Sequence, residues 1–165
     1  MYYNFDHHQS VNFYIPSEDS TLADNIGFIV PVARKHDNYM IGVGTRICEI
    51  KWVPPCATFK IVQTLTDVGN TAINRVNDGK ADRKGRLYFG TMNRVFAGRT
   101  GSFYRLSKRH GGYELVELVD EVGVSNGLAW SNDHKRLYYI DSINQTVTGY
   151  NYNKGTGDIC KEHEV

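Results

Sequence analysis

The chain has 165 residues, a net charge of +1, 41% hydrophobic and 22% charged residues. That length allows one domain with a real core. The balanced charge offers neither a basic face for nucleic acid nor an acidic tail. No apolar run approaches the roughly 18 residues that cross a bilayer. The first ten residues lack the charged-then-apolar order of a secretory leader, so a cytoplasmic protein is expected. Cys48, Cys56 and Cys160 form an odd count without a CxxC pair. They read as reduced structural thiols, with a disulfide or redox role as the alternative.

Strand signals run the length of the chain, with 11 Tyr and 7 Phe in short runs punctuated by 16 Gly. Near the N-terminus, "YNFD" (3–6) resembles "YNYN" (150–153), each followed by a polar turn and a last short strand. His7 and His8 between them make a tempting metal pair, but adjacent strand residues point to opposite faces and a solvated turn is the plainer reading. "FKIVQTLTD" (59–67) suits a strand. "RLYFGTM" (86–92) sets Leu87, Phe89 and Thr91 on one face and Tyr88, Gly90 and Met92 on the other. "RLYYIDS" (136–142) repeats the pattern with Leu137, Tyr139 and Asp141 against Tyr138, Ile140 and Ser142. Turns precede both, "DRKG" (82–85) and "SNDHK" (131–135). Nothing in the sequence makes a convincing helix. Trp52 and Trp130 read as packing residues between sheets, and His110 in "KRHGG" as part of an exposed loop.

These strands recur. Gly27, Gly79 and Gly127 lie 52 and 48 residues apart, and Tyr39, Tyr88 and Tyr138 lie 49 and 50 apart. A unit of about 48 residues with room for four strands is the size of one blade of a β-propeller. The units fall at 24–69, 70–122 and 123–165, with 1–17 as the end of another. The fold class is therefore all-β, an arc of about three and a half blades, whereas a ring closes with roughly four to eight. We expect a partial propeller whose open blade faces favour self-association.

Two polar stretches stand before the Tyr strands. "RVNDGKAD" (75–82) and "VSNGLAW" (124–130) each place Asn just ahead of Gly, as Asn77-Asp78-Gly79 and Asn126-Gly127. Such pairs are favoured turn residues because both tolerate positive φ. They also suit a site at the channel mouth. An amide oxygen is a neutral, hard ligand for Ca²⁺ or Mg²⁺, and an Arg beside it forks onto substrate oxygens. The pattern alone leaves both readings open.

"RVNDGKADRKGRLYFGTM", "VSNGLAWSNDHKRLYYIDS" and "GTRICEIKW" (44–52) resemble the regucalcin (senescence marker protein), gluconolactonase and luciferin-regenerating enzyme family. The resemblance runs over nearly the whole chain. It implies a six-bladed propeller with a divalent metal (Ca or Zn, with Mn or Mg as alternatives) in its channel, and hydrolysis of sugar lactones. Asn77 and Asn126 match the family's metal-ligating asparagines. Arg75 matches its substrate-contacting Arg, and Asn77 is expected to touch substrate too. Asp78 is expected to stabilise the turn. The family's ligating Glu lies in an earlier blade. Its Asp, both ligand and general base, lies beyond residue 165. A further substrate-binding Glu falls at Val95 by ungapped counting, and we nominate no replacement for it. The expectation is a metal-dependent sugar-lactone hydrolase represented by a truncated, inactive form, without a catalytic base of its own and with weak or absent metal binding. The alternative is a non-enzymatic calcium-binding regulatory propeller.

Overall fold

The computed structural model describes residues 2–4, 9–11, 25–53, 59–69 and 72–161. Within these there are only strands and turns. β1 (Tyr2–Asn4) pairs antiparallel with β2 (Gln9–Val11). Three four-stranded antiparallel sheets follow, each in simple chain order. The first holds β3 (Ile26–Pro31), β4 (Asn38–Val43), β5 (Arg46–Lys51) and β6 (Lys60–Asp67). The second holds β7 (Asn74–Ala81), β8 (Leu87–Asn93), β9 (Gly101–Arg109) and β10 (Gly112–Val122). The third holds β11 (Ser125–Trp130), β12 (Arg136–Asp141), β13 (Thr146–Tyr152) and β14 (Ile159–Lys161). The sheets stack as successive blades of a partial propeller.

The two-residue alternation explains the stacking. In β8 every residue is buried, because each face meets a different sheet. Leu87 and Phe89 join Phe28, Ile47 and Val76 between the first and second sheets. Tyr88 points the other way and joins Leu137, Tyr139 and Tyr152 between the second and third. Each such side chain is worth about 1.5–3 kcal/mol of burial. Trp130 packs edge-on to Tyr88 and Tyr152, with ring centroids 5.4 and 6.0 Å away. Trp52, by contrast, does not lie between two of the four-stranded sheets. It packs on Tyr39 and with Ile41, Val43 and Ile50 on the other face of the first sheet.

That placement corrects the tyrosine repeat. Tyr39 belongs to the far face of the first sheet, whereas Met40 faces the second sheet as Tyr88 faces the third. The structural counterpart of Tyr88 in the first sheet is thus Met40. A spacing wrong by one residue inverts the face in a strand.

The polar stretches are also not turns before strands. They are the innermost strands themselves, β7 and β11, and each carries a β-bulge, at Asn77–Asp78 and at Gly127. Pairing of β7 with β8 slips between Val76 and Gly79, and pairing of β11 with β12 slips between Asn126 and Leu128. β3 slips likewise between Ile26 and Phe28. Each bulge adds one extra residue to an inner strand. Gly127 has φ of 42°. Gly27 meets the next sheet so closely that an added Cβ would lie 2.2 Å from the Asn77 carbonyl oxygen.

Polar straps tie the second sheet to the third. Arg86 donates from Nε to Asp82 Oδ2 (2.6 Å), and from Nη2 to Tyr152 Oη (2.7 Å) and the Lys154 carbonyl (3.0 Å). Burial raises the Asp82 carboxyl, but hydrogen bonds from Tyr152 and Arg86 outweigh it and hold the group below its ordinary range. Cys48 is buried and Cys160 exposed. His7, His8 and Cys56 lie outside the described residues. His110 sits in the exposed β9–β10 turn. No described helix is long and apolar enough to cross a membrane.

Candidate functional site

Arg75 and Asn77 stand on β7, and Asn126 on β11. In β7, Asn74 and Val76 are buried while Arg75 and Asn77 are half-exposed, as alternation requires. The starts of both inner strands are clamped by the preceding sheet. Val76 N–H donates to the Gly44 carbonyl (2.6 Å), and Val124, just before β11, bridges to Met92. Strand starts held this way bring side chains 49 residues apart into contact.

The three residues form one chain of hydrogen bonds. Arg75 Nη1 donates to Asn77 Oδ1 (2.9 Å) and to the Val76 carbonyl (3.1 Å). Asn77 Nδ2 donates to Asn126 Oδ1 (2.9 Å) and to the Ser125 carbonyl (2.8 Å). Asn126 Nδ2 donates to Ser142 Oγ (2.9 Å). The convergence expected from the sequence is present, tighter than a shared metal shell needs. Asp78 Oδ1 accepts from the Gly79 N–H (2.8 Å), a contact that steadies the bulge. Val95, in the β8–β9 loop, is 77% exposed.

Two residues that the motif did not single out shape the cluster. Ser142 ends the relay on Asn126. Asp141, buried at the end of β12, accepts from the N–H groups of Gly123 and Val124 (both 3.0 Å), Ile143 N–H (3.2 Å) and Asn144 Nδ2 (2.8 Å). It fixes the approach to β11 and the turn that carries Ser142. Burial pushes its carboxyl up, and the backbone N–H groups of Val124 and Gly123 more than reverse that, leaving it below the ordinary carboxylate value. The "DS" at 141–142 was the signal available for both.

The donor set bears on a metal. Amide oxygens are the right type for a hard cation. Here, however, one oxygen accepts from a guanidinium and the other from an amide N–H. Among the described residues no group of three or more His, Cys, Asp or Glu would hold an ion. Two neutral oxygens beside Arg75 do not offset the dehydration of a divalent cation, so the described residues alone do not make a metal site. A cleft of about 820 Å³ elsewhere, between β10 and β13, is lined by Asp120, Tyr139, Asp141 and Tyr150 and includes none of Arg75, Asn77 and Asn126. Asp141 there is already committed to backbone N–H groups.

A family model described as "SMP-30/Gluconolactonase/LRE-like region" matches residues 3–165. The chain belongs to this family. Among SMP-30/gluconolactonase relatives, regucalcin of Gallus gallus is 40% identical over 137 residues, which cover 80% of this chain and 44% of that protein. Human regucalcin is 35% identical over the same length. The chain thus spans less than half the length of these relatives. Among solved structures, a luciferin-regenerating enzyme matches with TM-score 0.77 and 32% identity, over 84% of this chain and 46% of that one. A protein from Agrobacterium tumefaciens, described as the calcium-binding protein regucalcin, matches with TM-score 0.69 at 19% identity, a likeness of fold.

Proposed function

We propose that this chain carries the substrate-side part of a metal-dependent sugar-lactone hydrolase site of the gluconolactonase and regucalcin type. The observation that carries the reading is the Arg75–Asn77–Asn126 relay, which joins the inner strands of two blades. Arg75 and Asn77 grip the hydroxyl oxygens of the sugar ring. A guanidinium is a permanent forked donor, and an amide both donates and accepts, so together they suit a polyhydroxylated ligand. Holding the ring this way sets the direction in which its carbonyl is presented to water, a positioning effect. Asn77 and Asn126 offer oxygens to a divalent cation (Ca or Zn, or else Mn or Mg) only in company with carboxylates from elsewhere. A bound cation would polarise the lactone carbonyl. No described residue of the cluster is assigned as general base, and the chain alone is expected to bind metal weakly and to hydrolyse no lactone above background. A second reading, a non-enzymatic calcium-binding regulatory propeller, uses the same residues. That reading needs the cation but no general base, and no described residue of the cluster is assigned as one.

The test is sugar-lactone hydrolysis in a complete relative such as the Gallus gallus protein, with graded Zn²⁺, Mn²⁺ or Ca²⁺. Ala in place of the Asn126 counterpart should lower the rate, and excess metal should restore part of it by mass action. Ala in place of the Arg75 counterpart should stay impaired at any metal concentration. Equal responses would refute the role assignment. Metal binding with no hydrolysis in the unaltered relative would favour the regulatory reading.

A further inference from the structure

Four of the large apolar side chains that the described residues expose lie at the same end of the second and third sheets as the relay. They are Ile73 (43% exposed), Val95 (77%), Phe96 (62%) and Ile143 (42%). Their placement follows from the strands. The Arg94 N–H donates to the Ile73 carbonyl (2.8 Å), which extends the β7–β8 pairing by one step beyond Asn74 and Asn93. By alternation Ile73, Arg75 and Asn77 then form one row on the open face of β7, with successive members about 6.6 Å apart. Val95 and Phe96 form the tip of the β8–β9 loop, which leaves the second sheet at this same end. Ile143 follows Ser142, the last member of the relay, and packs where Gly123 leaves no room for a Cβ.

The loop tip is held, not loose. Asn93, 5% exposed, accepts at Oδ1 from Val95 N–H (3.0 Å) and Ala97 N–H (3.2 Å), and its Nδ2 donates to Thr100 Oγ1 (3.2 Å). Phe96 has φ of 59°, a left-handed conformation that is unfavourable for a non-glycine residue. A buried amide therefore fixes a strained turn that presents a phenyl ring and an isopropyl group to solvent. Water gains nothing from that arrangement, and no core requires it. An apolar part of a ligand gripped by Arg75 and Asn77 would shelter there.

We infer that the site selects sugar lactones that carry an alkyl or aryl substituent on one of their oxygens over the fully hydroxylated sugar lactones, with Phe96, Val95 and Ile73 as the specificity-determining residues. This rests on the lactone-site reading above and narrows its substrate class. The polar relay holds the remaining hydroxyls, and the apolar rim covers the substituent. A hydroxyl at the rim position would lose its hydration against Phe96 and find no partner.

Binding tests this without requiring turnover. Saturation-transfer NMR on the full 165-residue chain would compare 6-O-benzyl-δ-gluconolactone with δ-gluconolactone, in the native chain, Phe96→Asn and Arg75→Met. Asn accepts positive φ, so Phe96→Asn keeps the loop while removing the ring. The expected result is preference for the benzyl ether in the native chain. Phe96→Asn should weaken the benzyl ether by about tenfold and leave δ-gluconolactone unchanged, whereas Arg75→Met should weaken both. Equal or tighter binding of δ-gluconolactone, or benzyl-ether binding indifferent to Phe96, would overturn the apolar preference and leave the lactone site standing. Binding of neither lactone would overturn the lactone-site reading and this inference with it.

Discussion

Replacing Asp141 by Asn should destabilise the chain more than any change at the relay itself. The carboxylate takes four donors, two on each oxygen. Val124 and Ile143 N–H bind Oδ1, and Gly123 N–H and Asn144 Nδ2 bind Oδ2. An amide keeps one oxygen and turns an NH₂ group toward the other two donors. Two hydrogen bonds to a charged acceptor are lost, each worth about 1.5–3 kcal/mol, with buried donors left facing a donor. The expected loss is about 3–5 kcal/mol, or a fall in Tm of roughly 10 °C for a chain this long. The pH dependence follows from the depressed carboxyl. Its contribution is complete above the unfolded value of 3.8 and is lost as pH falls through the lower folded value. The Tm gap between native chain and variant, measured by calorimetry, should therefore hold steady from neutrality down to about pH 4 and close below it. Other carboxylates titrate in both proteins and cancel in the difference. A gap of less than about 3 °C at neutral pH, or one that persists undiminished once Asp141 is protonated, would refute the argument.

Gly90→Ala should disturb the site from the neighbouring strand. Its new Cβ would lie 1.9 Å from Ser125 Oγ, so about 1–3 kcal/mol of stability should be lost. The NMR side-chain amide signals of Asn77 and Asn126 should shift, and Ser125→Gly in the same chain should restore both. The open face of the third sheet supports a prediction of self-association, since Tyr138 and Val147 are 37% and 67% exposed there while Tyr88, the counterpart of Tyr138, is fully buried. Sedimentation velocity should find concentration-dependent oligomers that Tyr138→Lys with Val147→Lys reduces. A monodisperse native monomer would count against it.

Much of the fold was legible because strand alternation is a local property. Leu87 and Phe89 part from Tyr88, and Leu137 and Tyr139 from Tyr138, as their spacing requires. The convergence of Arg75, Asn77 and Asn126 was legible from their motifs. The bulges were not, because Asn-Gly suits a hairpin turn and a bulge alike, and because what demands glycine at Gly79 is the Phe28 ring of the neighbouring sheet, 2.6 Å from an added Cβ. One inserted residue per inner strand was also enough to hide that Met40, not Tyr39, repeats Tyr88. Asp141 and Ser142 escaped notice because an Asp at a strand end looks like any turn residue. Its four donors come from two separate stretches, 123–124 and 143–144, that meet only in the folded sheet. The apolar rim escaped for a similar reason, since Ile73, Val95 and Ile143 lie far apart in the chain.

The hydrogen bond between Asn77 and Asn126 spans 49 residues and two sheets, whereas every strand pairing inside a sheet joins chain neighbours. Local pairings close short loops and form first, so each sheet can assemble before it meets the next. The relay therefore comes into being when the second and third sheets dock. Its rate of appearance should follow that docking step and not the formation of either sheet. Side-chain amide exchange at Asn77 would report the opening of the seam packed by Tyr88 and Trp130, a fluctuation smaller than global unfolding.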